Sequence, residues 1–181
     1  MNRFACFLVA ALISAVCGCG PSKPADLPPL HPVKLTITQG GAPLADAVVS
    51  LMPTSSSLTN YGISDKTNAS GVVDPQTKSN TKQWPGVPEG TYTLLISKKS
   101  VPALDPAVDE YATDPAERAK LEQAQAKQSE DTVETVALEF SQFSQAKHQI
   151  TVTKDGLKDT IDVGAAVSVP LSQAIPSSSS H

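Results

Sequence analysis

The chain has 181 residues and a mass of 18.9 kDa, room for one domain of ordinary size with a linker and a tail. Lys+Arg number 14 against Asp+Glu 18, a formal charge of −4, and this acidic balance argues against a nucleic-acid partner, which needs clustered cations for its phosphates. Fifteen prolines and a 4% aromatic share predict short elements, many turns and an aliphatic core.

Residues 1–18 read as a secretory leader. Arg3 and the amino terminus form a positive start, and Phe4 to Val16 is an apolar run broken only by Ser14. It is shorter than the about 20 residues that span a bilayer and fits the h-region of a signal peptide. Val16-Cys17-Gly18-Cys19 then resembles a bacterial lipobox: an aliphatic residue, a tolerant position, Gly or Ala, and Cys. The resemblance implies cleavage after Gly18 and lipidation of Cys19, the palmitoylated anchor of an exported cell-envelope protein. Cys17 would place Val16 at a cleavage position that wants a small residue, so Cys19 is the expected site. The three cysteines are Cys6, Cys17 and Cys19, so the body has no disulfide frame and no thiolate metal site. Loss of Arg3 with the leader leaves 13 cations against 18 anions, a charge of −5. A body of that sign is not drawn to anionic lipid, and the tether must hold it.

Residues 19–32 are expected to be the lipidated cysteine and a spacer. Gly20–Pro32 carries five prolines in thirteen residues, which favours extended polyproline II and a reach of roughly 40 Å.

The body, expected over 33–164, alternates with period 2. Val33, Leu35 and Ile37 alternate with Lys34, Thr36 and Thr38, as in a half-buried strand. Gln39–Pro43 turns the chain, and Ala47, Val49 and Leu51 repeat the pattern until Pro53 ends it. Tyr61–Val73 reads as two short strands around Asp65–Gly71, and Gly86–Gly90 as a turn into Thr91–Ser97, where Tyr92, Leu94 and Ile96 face one way. Val136, Leu138 and Phe140 predict a further strand. His148–Thr153 and Lys158–Val163 flank Asp155-Gly156, a type I′ turn signal, and a two-residue loop puts Ile150 opposite Ile161.

One segment is helical. Asp114-Pro115-Ala116-Glu117 offers an N-cap, Pro at the first position and Glu at the third. The helix should run to about Gln128 with Leu121 as its one large apolar residue, so it is expected outside the core as a solvated insertion. Residues 165–181 end in Ser177–Ser180 and His181 and read as a disordered, serine-rich tail.

Together these predict an all-β, antiparallel sandwich of about seven strands with one inserted surface helix. Several pieces resemble the carboxypeptidase regulatory-like domains, a transthyretin-like (prealbumin-like) group of β-sandwiches found in bacterial lipoproteins. They are Val33–Gly41 with Pro43–Val49, the Asp65–Gly71 turn, Gly86-Val87-Pro88-Glu89-Gly90-Thr91-Tyr92 as a "GxPxGxY" strand entry, and Ile150–Val163 as a closing hairpin. The polar stretch Thr77–Gln83 and the helical insertion depart from that pattern. The resemblance implies an Ig-like sandwich of seven strands without catalytic machinery.

Chemistry-bearing residues are sparse. His31, His148 and His181 lack metal-ligand spacing, and no Gly-x-Ser-x-Gly elbow or phosphate-cradling glycine loop occurs. Asp65, Asn68 and Asp74 carry oxygens but not at EF-hand spacing, and read as turn residues. The transthyretin-related hydrolases use catalytic histidines and close on Tyr-Arg-Gly-Ser, which this chain lacks. No enzyme activity, metal or cofactor is expected. The expected role is structural or protein-interacting, with the membrane and envelope proteins as partners. The alternative is a carbohydrate-binding module, with Trp84 and Tyr61 as its stacking platform.

Overall fold

The computed structural model describes residues 24–171, apart from 56, 57, 59, 81, 109 and 112. The expected leader, the expected lipidation position Cys19 and the part of the expected tail from 172 onward lie outside the described residues.

The alternating segments form the two layers of a sandwich. One sheet holds, in spatial order, β13 (Gln149–Val152), β10 (Gly90–Ser97), β4 (Val48–Pro53), β5 (Gly62–Lys66), β7 (Gln76–Lys78) and β8 (Gln83–Pro85). The other holds β14 (Leu157–Asp162), β2 (Val33–Gln39) and β3 (Ala42–Pro43), with β6 (Val72–Val73) also on β2. Val33, Leu35 and Ile37 from β2 meet Val49 and Leu51 from β4 and Tyr92, Leu94 and Ile96 from β10 in one continuous buried cluster. Each side chain removed fully from water there contributes about 1.5–3 kcal/mol. The intervening residues Lys34, Val48 and Met52 are exposed, as the two-residue period requires.

The smaller elements lie around this body. β1 (Leu30–His31) pairs with β9 (Val87–Pro88), and β11 (Lys99–Ser100), β12 (Val133–Glu134) and β15 (Val169–Pro170) form a three-stranded ribbon. Strands outnumber the expected seven because Pro and Gly interrupt pairing and leave several of two or three residues. No helix among the described residues is long and apolar enough to cross a membrane.

The inserted helix α1 spans Pro115–Glu130, two residues beyond the expected end, with no buried residue. Asp114 caps it, its Oδ1 accepting the N–H groups of Ala116 at 2.9 Å and Glu117 at 3.4 Å. Glu117 is turned to Lys120, 2.7 Å away, rather than back to the cap.

Several expected pairings are corrected. Val136, Leu138 and Phe140 do not form a strand. Val136 enters the core, and then Leu138–Ser141 winds into the four-residue helix α2, where Phe140 and Ser141 donate to the Ala137 carbonyl at 2.9 and 3.1 Å. The segments around Asp155-Gly156 do not form a hairpin either. Ile150 lies opposite Tyr92 and Ile161 opposite Ile37, so β13 and β14 belong to different sheets. The turn itself is real but shifted: Gly156 N–H donates to Thr153 O at 2.9 Å, and Gly156, at φ +83°, follows the two loop residues. β14 runs parallel to β2 over six residue pairs, an exception to the antiparallel expectation. Likewise β5 and β6 flank the Asn68 turn without pairing to each other.

The body also reaches past its expected limits. Leu27 is buried and β1 is paired, so the end of the expected spacer packs on the sandwich. Downstream, Val167 N–H donates to Thr135 O at 3.1 Å and β15 pairs with β12, so 165–171 extend the ribbon rather than starting the tail.

Candidate functional site

The expected aromatic pair does come together. Trp84 is the central residue of β8, opposite Thr77 of β7, and Tyr61 stands just before β5. Their ring centroids are 6.3 Å apart at 79°, an edge-to-face contact. The arrangement is not an open platform, however. Trp84 is only 5% exposed, whereas stacking on a sugar ring needs a free indole face. Its Nε1–H is buried and has no hydrogen-bond partner among the described residues. The Tyr61 hydroxyl donates to the Asp26 carboxylate, and burial, then that carboxylate, push the phenol above its ordinary value.

Asp26 and Leu27 were not among the expected site residues. They lie in the Pro-rich stretch, where proline dominates the reading. The available signal was that Leu27 and Leu30 are the large aliphatic residues of that stretch.

Tyr92 stays in the core, as its alternation with Leu94 and Ile96 predicts. Its hydroxyl donates to Pro88 O at 2.8 Å, and burial raises its pKa to about 12. It is therefore unavailable as a platform residue.

The remaining polar groups are occupied in holding turns and strand ends. Asn68 Oδ1 accepts from Ser70 and Val72 N–H at 2.9 and 3.0 Å, which closes a turn. Asp74 reaches Lys34 at 3.8 Å, an exposed pair. No group of three His, Cys, Asp or Glu suited to a metal ion occurs among the described residues. The buried carboxylate of Glu134 accepts from Ser97 Oγ at 2.5 Å, Lys98 N–H at 2.8 Å and Val136 N–H at 3.1 Å. Three donors satisfy a charge that would otherwise be costly to bury, and they tie β12 to the end of β10. Asp162 grips the β2–β3 turn: Thr38 Oγ1 and Gly41 N–H donate to it at 2.8 Å and Gly164 N–H at 2.7 Å. These donors, Thr38 first, hold its carboxyl below its ordinary value.

A groove of about 530 Å³ opens where β2 and β14 begin, lined by Pro32, Val33, Pro75, Pro85 and Leu157 together with the charged Lys34, Asp74, Asp155 and Lys158. Its lining is mixed, aliphatic and proline side chains beside two cations and three polar or acidic partners, Asp74, Gln76 and Asp155.

No protein-family model, curated protein or solved structure matches the chain.

Proposed function

We propose that the chain is a lipid-anchored, non-catalytic β-sandwich of the bacterial cell envelope, akin to the carboxypeptidase regulatory-like domains, with a structural or protein-interaction role. The carrying observation is the apolar leader closing on Val16-Cys17-Gly18-Cys19, directly ahead of a chain that has joined the sandwich by Leu27. Leu27 stands eight positions after Cys19, so a fully extended tether reaches about 25 Å, shorter than the whole proline-rich stretch would allow. The body then sits close above the membrane. Val48 and Met52, exposed on the outer face of β4, supply apolar surface for a protein partner, and the groove at the start of β2 and β14 offers mixed apolar and charged surface. The test is labelling with radioactive palmitate. Wild type should incorporate the label and partition with membranes, and Cys19→Ser should do neither; equal labelling of the two overturns the anchor.

A second reading, a carbohydrate-binding module, is favoured by the meeting of Tyr61 and Trp84 and opposed by the burial of Trp84. A glycan-array signal that disappears in Trp84→Ala supports it, and a blank array leaves the structural reading standing.

A further inference from the structure

Trp84 presents a burial problem. It lies on β8, the terminal strand of its sheet, and it is not part of the continuous core cluster, yet little of it meets solvent. Leu27 is in the same position: buried, and outside that cluster. The segment carrying Leu27 bears on the surroundings of Trp84 at two places. At one, Asp26 accepts from Tyr61, whose ring meets the indole. At the other, Leu30 and His31 pair with Pro88 and Val87. The backbone there passes so close to Gly86 that an added Cβ would lie 2.8 Å from the His31 carbonyl oxygen.

We propose that residues 24–31 form a detachable strap that covers Trp84, so that the aromatic pair has a closed form, described above, and an open form. Two features make the strap separable from the body. Its ladder is two residue pairs long, whereas the adjoining β2 is held by six pairs to β14 as well as by β3 and β6. Closure also leaves the indole N–H without a partner among the described residues, and water satisfies that donor once the strap lifts. Elements held by few contacts open locally at a fraction of the global unfolding free energy. On the anchored reading, from which the strap is otherwise independent, tension on the tether reaches the strap before it reaches β2. The carbohydrate reading requires the open form. A strap that never lifts therefore removes that reading, while a blank glycan array leaves the strap intact.

Trp84 is the sole tryptophan of the chain, so its fluorescence reports on the strap directly. In the full-length, detergent-solubilised chain, Leu27→Asp should shift Trp84 emission to the red and raise acrylamide quenching several-fold. The far-UV circular dichroism should be retained. Unchanged emission and quenching in Leu27→Asp, or a tryptophan shift accompanied by loss of the β-sheet signal, overturns the proposal. Native-state hydrogen exchange on the wild type needs no variant. Strap amides should exchange several-fold or more faster than those of Leu94 and Ile96, and equal rates overturn it.

Discussion

Strand β10 and helix α1 are both regular, and they are stabilised in opposite ways. β10 buries Tyr92, Leu94 and Ile96 completely and is flanked by β4 and β13, so nearly all of its stability is tertiary. α1 has no fully buried residue among its sixteen and is held by its Asp114 cap, the Glu117–Lys120 pair and a hydrogen bond from Gln128 to the Pro102 carbonyl. Isolated helices only slightly shorter than this are marginal in water even when rich in alanine. Regular backbone structure is thus no measure of what holds this molecule together; the interior side chains are.

Substitutions in the two regions should separate sharply. Leu94→Ala leaves a cavity between the sheets and should cost about 2–5 kcal/mol in urea unfolding of the whole sandwich. If it costs no more than a surface change, the single-core description fails. Next in size is Gly156→Ala, which forces a left-handed φ on alanine and drives its Cβ into the Pro32 carbonyl. The strain alone is about 1–3 kcal/mol, read as a lower unfolding midpoint. Asp162→Asn is smaller and depends on pH. Its carboxyl has a folded pKa below the ordinary 3.8, so the stabilisation is full above that value and is lost as pH falls through the folded one. The gap between wild type and variant should be widest above pH 3.8 and close below it; a gap independent of pH contradicts the contact with Thr38 and Gly41. Smallest in global effect is Asp114→Ala. It should cost α1 about 1 kcal/mol of local helix stability, seen as faster amide exchange in its first turn, with the sandwich midpoint unmoved. A lowered midpoint would mean that the helix is coupled to the core after all.

The same contrast explains how much was legible in the sequence. Faces were readable, because Val33, Leu35 and Ile37 or Tyr92, Leu94 and Ile96 must all turn inward whatever pairs beside them. The helix was readable because its signals are local: a cap, a proline and a run without a wide apolar face. Pairing was not. Ile150 and Ile161 both face the core, but from opposite sheets, since a connection that crosses between layers satisfies the same alternation as a hairpin. The Val136–Phe140 strand failed because three alternating residues are too few to fix a period, and Val136 alone of them is fully buried. For the candidate site, the Tyr61–Trp84 contact could be anticipated from residue type. The burial of Trp84 could not, and neither could that of Leu27, which lies in a stretch whose composition reads as extended chain.

The alignment of β2 with β14 bears on mechanics. These strands come from opposite halves of the chain and run in the same direction, Val33 beside Leu157 and Thr38 beside Asp162. A stretching force applied to Val33 at its leading end and to Asp162 at its trailing end pulls along both strands. All six rungs of that ladder are then loaded together instead of parting one by one. A domain of this design resists being pulled apart along that axis far better than its modest size suggests.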